Sequence, residues 1–436
     1  MIILVYLLLS IILILLLTSK FKIHPAISLL IGSFFLGILL NMNLTLILEY
    51  LIIGFSNAIK SIGLIIIFSA IIGESLKESN SIKKFGNLIL YNFQNKTLLS
   101  LNLLGLFLGT VVFCDSGFLI LNGISKSIAS SANYSLTSLN LSLSGGLYAS
   151  HTLVPPTPGP LAAINNLNSI SMIGDIMLLS IIVSIPASLI SFFYAKIIFG
   201  RLKIKKTFNE INISSNYILP VLVILIPLFL ISLNTLTNFI NNENLIHLIP
   251  LIKIIGNPIV ALLIGVILSF FLPYVKEKKL SIISKAFKNS APILILTCMG
   301  ASFGNVIKNS ELTSLLSNVF TNNNVSLIYI ACICFIISVI LKTSQGSSTS
   351  AMIIGSSIIF PLISSYHFTS FSIAMIVLSL GAGSMMISHI NDSFFWIVTQ
   401  KSNLKMNDGI KYFSLMSITQ GLGTFAFIIL IIYLFN

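Results

Sequence analysis

Apolar residues run through this chain in long stretches separated by short polar ones. Runs near 2–18, 26–41, 61–76, 176–199, 217–236, 250–272, 291–307 and 413–435 approach the roughly 20 residues that carry an α-helix across a bilayer. The other runs are too short to cross alone and pair up across interruptions: 98–113 with 117–130, 141–153 with 160–164, 326–341 with 349–365, and 372–389 with 394–400. The interruptions are Cys114-Asp115-Ser116-Gly117, the Pro-rich stretch from Val154 to Pro160, Thr343 to Thr349, and His389-Ile390-Asn391-Asp392-Ser393. An unpaired backbone group in hydrocarbon costs several kcal/mol, so breaks of this kind persist only where protein or a wet cavity surrounds them. The pattern therefore predicts four helix breaks meeting near the membrane midplane.

The two halves resemble each other. Gly73, Lys77 and Ser79 match Gly304, Lys308 and Ser310 at an offset of 231, and Gly145, Ser150 and His151 match Gly383, Ser388 and His389 at an offset of 238. Each match is weak alone; the preserved order carries the argument.

Composition agrees with a membrane protein: of 436 residues 56% are hydrophobic and only 8% charged, against about 25% charged in a soluble domain. The net charge of +13 raises the question of nucleic acid. The cations sit in short loops between apolar runs, however, which fits the positive-inside rule and argues against nucleic-acid binding. With the N-terminus outside, the inner loops hold the basic clusters near 20–22, 77–96, 196–206, 276–288 and 401–411. This requires an odd number of crossings per half, so the second half is inverted. The first run has no positive charge before it, and Lys20 and Lys22 follow it, so it reads as a retained span rather than a leader.

The predicted fold is an all-α polytopic membrane protein of two inverted repeats, five crossings each, with a re-entrant hairpin and a broken helix per repeat. Residues 1–199 form the first repeat (hairpin about 98–130, broken helix about 141–164), 200–216 a cytoplasmic linker, and 217–436 the second repeat (hairpin about 326–365, broken helix about 372–400), with both termini outside. Inverted repeats with broken helices are the signature of secondary transporters.

Candidate chemistry lies in the breaks. Asp115 reads either as a proton carrier, since intramembrane acids are costly and usually functional, or as a cap on the helix opening at Gly117. Asp392 carries the same two readings. Lys342 suits a substrate carboxylate or an ion pair with Asp115 or Asp392. Ser347, Ser348 and Thr349 offer hydroxyl donors, or ordinary N-caps. His151 and His389 occupy matching places before a break and read as proton-coupling groups or as packed residues. Four prolines between Pro155 and Pro160 remove N–H donors and predict an unwound, cavity-lining segment with Thr157 and Gly159 nearest the substrate, or a mere kink. Glu74, at the cytoplasmic end of the third span, reads as solvated. The four cysteines (Cys114, Cys298, Cys332, Cys334) show no metal or disulfide spacing and read as free thiols, so no cofactor and no metal is expected. An intramembrane hydrolase is a competing class. The chain reads as having no Gly-x-Ser-x-Gly elbow and no His-Glu-x-x-His zinc pair, and a duplicated architecture is not needed for one catalytic site, so it reads as no enzyme.

The segment Gly146-Leu147-Tyr148-Ala149-Ser150-His151-Thr152-Leu153-Val154-Pro155-Pro156-Thr157-Pro158-Gly159-Pro160-Leu161-Ala162-Ala163 resembles the hallmark of the gluconate:proton symporter (gluconate permease) family. Gln345-Gly346-Ser347-Ser348-Thr349-Ser350-Ala351, Ser388-His389-Ile390-Asn391-Asp392-Ser393-Phe394-Phe395-Trp396 and Phe113-Cys114-Asp115-Ser116-Gly117-Phe118 are similar to further family motifs, in the same order. The chain departs from the family pattern at Lys342, Thr157, Ser350 and Phe394, where the family more often has Arg, His, an apolar residue and Gly. The resemblance implies a bacterial inner-membrane permease that imports gluconate or a related small hydroxy carboxylate with protons, in an ion-transporter-type fold that is often a homodimer and works by elevator motion. Together with the breaks it assigns substrate binding to Ser116, Gly117, Thr157, Gly159, Lys342, Gln345, Gly346, Ser347, Ser348, Thr349, Asn391 and Ser393. Proton coupling falls to Asp115, Asp392, His151 and His389. The alternatives are a passive channel and a sodium-coupled carboxylate or D-serine transporter of the same fold; only the resemblance favours protons.

Overall fold

The computed structural model describes residues 2–79, 81, 96–131, 134–199, 218–236, 249–273, 275–310, 326–363 and 368–435. The cytoplasmic linker expected at 200–216 lies outside the described residues. Among those described, the chain is helical throughout, with no strand.

The first half runs α1 (Ile2–Ser19), α2 (Pro25–Leu39), α3 (Leu44–Glu78), α4 (Thr97–Leu108), α5 (Cys114–Ser131), α6 (Leu136–Leu153), α7 (Pro158–Asn166) and α8 (Ile173–Phe199). The second half repeats the order: α9 (Ile218–Leu236), the pair α10 (Ile249–Ile255) and α11 (Pro258–Ser269), α12 (Lys279–Lys308), α13 (Leu327–Gln345), α14 (Ser348–Ile363), α15 (Ser370–Met385), α16 (Ser393–Lys401) and α17 (Met406–Phe435). The short helices α7 and α16 match closely. Each spans nine residues and ends in a turn whose asparagine lies in the left-handed region, Asn168 at φ 55° and Asn403 at φ 56°.

Local sequence explains the helix ends. His24 caps α2 through Nδ1, which accepts from Ala26 N–H, and Pro25 takes the first helical position, where no N–H is needed. Asn43 Oδ1 caps α3 from Thr45 N–H. Two expectations need correcting here. The apolar run at 61–76 is only the second part of α3, because a π-helical turn at Ile59–Gly63 carries the helix through from Leu44 without interruption. The run at 250–272 is not straight, because the chain bends by 63° between α10 and α11. Asn257 Oδ1 caps the new start there by accepting from Ile259 N–H. Among the described residues five helices, those spanning Leu44–Glu78, Ile170–Phe199, Lys279–Lys308, Leu327–Gln345 and Met406–Phe435, are long and apolar enough to cross a membrane, and the bent pair, taken as one span, makes a sixth.

Packing follows the same duplication. α4 lies on α6 as α13 lies on α15, and α6 lies on α8 as α15 lies on α17. The halves then exchange contacts: α7 packs on α14 and α16 on α5. α6 and α15 are buried nearly all round and form the centre. Their small residues permit this: a Cβ on Gly146 would lie 2.0 Å from the Asn102 carbonyl oxygen, so α4 and α6 touch backbone to backbone.

The two long helices α3 and α12 pair antiparallel. Glu78 meets Lys285 and Glu74 meets Asn289 near one end, while Ser302 Oγ donates to Leu51 O (2.9 Å) and Asn305 Nδ2 to Tyr50 O (2.8 Å) near the other. Glu74 is not solvated as its position suggested. It is buried, accepts from Asn289 Nδ2 at 2.7 Å and has Lys77 Nζ at 3.7 Å. Its partner comes from the other half of the chain.

Candidate functional site

Each predicted break is present, displaced by a few residues. The first is the turn 109–113, with Cys114 already helical; the second covers 154–157, because prolines are tolerated in the first turn of α7. The third is Gly346-Ser347. Gly346 sits at φ 76° against Asn391, whose carbonyl oxygen would lie 2.1 Å from an added Cβ, so only glycine fits. The fourth runs from Met386 to Asp392.

Three helix starts, those of α5, α14 and α16, open onto a cavity of about 450 Å³. It is lined by Phe113, Cys114, Asp115 and Ser116 at the first break, Tyr148 and His151 of α6, Gly346, Ser347, Ser348 and Thr349 at the third break, and Asp392, Ser393 and Phe394 at the fourth. Lys77, Asn289 and Ile293 of the α3–α12 pair complete it. Helix starts carry a partial positive charge that favours an anion, although here Asp392 caps α16 and Asp115 stands in the first turn of α5. The two halves meet within it: Ser393 Oγ donates to Asp115 Oδ2 at 3.0 Å.

Beneath the cavity Lys342 is only 1% exposed, and its charge is paired. Nζ donates to Asp392 Oδ2 at 2.7 Å and to Gly346 O at 2.9 Å, and it lies 5.7 Å from the centroid of the Tyr148 ring. Asp392 is equally occupied. Oδ1 caps α16 from Phe394 N–H (3.0 Å), and Oδ2 also accepts from Ser388 Oγ. The two readings of Asp392 as a cap and of Lys342 as its ion-pair partner are thus both realised. Buried charges of this kind are tolerable only when mutually paired and hydrogen-bonded. Tyr148 links this pair to the hairpin: its hydroxyl shares a 2.9 Å hydrogen bond with Ser348 Oγ.

Of the residues read from the sequence, Asp115, Ser116, His151, Gly346, Ser347, Ser348, Thr349, Asp392 and Ser393 line the cavity. Gly117 instead packs toward Leu147, Gly159 faces Met352 across the α7–α14 contact, and Thr157 borders a separate space of about 20 Å³ beside His151. Asn391 Nδ2 ties the fourth break to the third through Thr343 O (2.7 Å). Gln345 has both side-chain polar atoms buried without a partner among the described residues, as does Nδ1 of His151 and of His389. No cluster of metal-ligating side chains occurs among the described residues. The sequence reading missed Tyr148, Asn289 and the place of Lys77 in the site. Lys77 carried a signal, since it matches Lys308 in the repeat; Tyr148 stood in the hallmark segment without a role.

Gly300-Ala301-Ser302-Phe303-Gly304 has the spacing of a serine nucleophile motif that the sequence reading passed over. It lies inside α12, and Ser302 Oγ is spent on Leu51 O and Cys298 O, so it forms no strand-to-helix elbow.

A helical membrane protein whose broken helices meet around a cavity belongs to the class of transporters. Comparison with known proteins narrows this. The family model described as GntP family permease matches residues 2–434, and the chain belongs to that family. It is 28% identical to the D-serine transporter DsdX of Escherichia coli (strain K12) over 94% of this chain and 93% of that protein. It is 26% identical to a gluconate permease of Pseudomonas aeruginosa over 95% and 94%. Among solved structures, the YdaH transporter of Alcanivorax borkumensis is similar with a TM-score of 0.58 at 13% identity, over 90% of this chain and 89% of that one, a likeness of fold alone. The family and these relatives are permeases and transporters rather than enzymes.

Proposed function

We propose that this protein is a secondary active transporter of the bacterial inner membrane that imports gluconate or a related small hydroxy carboxylate together with protons. The observation that carries the reading is the cavity itself, where Asp115 of one half meets Ser393 of the other among three helix starts. Its volume, about 450 Å³, falls in the range of small-molecule sites. Relatives named for gluconate and for D-serine share a substrate with a carboxylate and a hydroxyl on a short chain. The helix starts receive the carboxylate, while Ser347, Ser348, Thr349 and Ser393 supply hydroxyl partners.

Charge accounting supplies the coupling. Lys342 and Asp392 neutralise each other, which leaves Asp115 as the uncompensated acid in the cavity. An anion about 6 Å from an ionised Asp115 is repelled by roughly 3 kcal/mol at an effective dielectric near 20. Protonating Asp115 removes that cost, so proton and anion favour each other and travel together. Asp392, with both oxygens engaged, is a structural partner in this account, and His151 is a secondary proton site.

The matched element order and the antiparallel α3–α12 pair support two inverted repeats of five crossings each. The cavity lies between that pair and the bundle of broken helices, so sliding the bundle along the pair would carry the site from one face to the other, as in an elevator. A second reading has specific support: in a D-serine carrier Asp115 would bind the substrate ammonium.

Proteoliposomes holding the protein should accumulate labelled gluconate when the outside is acid and sodium is absent. Uptake that needs sodium and ignores pH contradicts the coupling. Uptake of labelled D-serine with no uptake of gluconate favours the second reading.

A further inference from the structure

The site has an unmet requirement, given the carboxylate reading of the previous section, on which this inference rests. A substrate anion gains from a cation, and Lys342 is ill placed to serve: it is 1% exposed, does not line the cavity and has its charge matched by Asp392. Among the described residues lining the cavity, the lysine is Lys77. Its side chain is 42% exposed and lies 3.7 Å from Glu74 Oε2, while Asn289 donates to the other carboxylate oxygen, Oε1, at 2.7 Å. With that one long contact, the ammonium keeps donors for a further anion.

Lys308 occupies the matching place in the other half. It ends α12 as Lys77 falls at the end of α3, and the two helices run antiparallel, so the lysines stand at opposite ends of the pair. Lys308 lines a cavity of its own, about 90 Å³, against 450 Å³ at Lys77. Asn57, Asn165, Asn166, Asn168 and Asn305 line the smaller space too, a neutral hydrogen-bonding wall suited to hydroxyls.

We infer that Lys77 and Lys308 are face-specific counter-charges for the carried anion, Lys77 receiving it when the site opens to the cytoplasm and Lys308 when it opens to the outside. Each lysine is then a specificity determinant for carboxylates at one face. Two fixed cations, one per end, let a single moving site present the same charge environment in both states. The assignment of faces follows from the basic loops, which put the Lys77 end inside.

The test is the KM for labelled gluconate measured separately at each face, in right-side-out and in inside-out membrane vesicles under exchange conditions. Losing one charge-assisted contact is expected to raise KM about tenfold. Lys77→Gln should raise it at the inner face and leave the outer value within about twofold, Lys308→Gln should do the reverse, and Lys77→Arg should restore the inner value. Equal shifts at both faces, or none in either variant while the unsubstituted protein transports normally, would overturn the inference and leave the carboxylate reading standing. Absence of transport by the unsubstituted protein would instead remove that reading, and this one with it.

Discussion

Asp115→Asn should abolish proton-driven accumulation of substrate while exchange of labelled for unlabelled substrate across the membrane continues. The asparagine oxygen still accepts from Ser393 Oγ, so the 3.0 Å contact between the halves survives and the cavity keeps its shape. What is lost is the group whose charge opposes the anion. For one proton carried with one anion, each pH unit sustains about a tenfold gradient of substrate. The variant should therefore equilibrate at a ratio near one where the unsubstituted protein reaches about ten across a one-unit gradient. Uptake of labelled substrate by proteoliposomes at fixed external pH measures this, and full accumulation by the variant would take Asp115 out of the proton path.

The second large effect concerns the buried pair. Asp392→Asn keeps the cap on α16, since asparagine caps as well as aspartate, but strips Lys342 of its counter-charge. Lys342 is 1% exposed and has no water to turn to. Removing one partner of a buried pair costs about 3–5 kcal/mol, so thermal unfolding in detergent should move down by many degrees. Lys342→Met should destabilise similarly by stranding Asp392. The double variant should recover most of the loss, because no buried charge is then left alone. Additive losses in the double variant would mean that the two residues do not act as a pair.

Much of this arrangement was legible in the residues. Pro, Gly and Asp announce breaks because each disfavours a continuous helix for a distinct reason, and their positions were right to within a few residues. The displacement also has a cause: Cys114 to Gly117 and Pro158 to Pro160 are tolerated in a first helical turn, so the breaks fall just before them. The helix at Leu44–Ala58 was missed because Asn43, Glu49, Asn57 and Lys60 interrupt the apolar pattern, although they point into caps, cavities or solvent. What local sequence could not show is contact across great separations. Glu74 is buried because of Asn289, and Tyr148 matters because of Ser348, two hundred positions away. The choice between substrate ligand and ion pair for Lys342 was likewise set by a residue of another break.

The account stands or falls on the convergence of breaks from both halves on one water-filled cavity. Ser116→Cys from the first half and Ser393→Cys from the second, each in a protein with its four native cysteines replaced, test this directly. Both thiols should react with a membrane-impermeant alkylating reagent from the cytoplasmic face, and one substrate, gluconate, should slow both reactions over the same concentration range. Protection of only one thiol, or of neither at concentrations that saturate transport, would contradict a shared site.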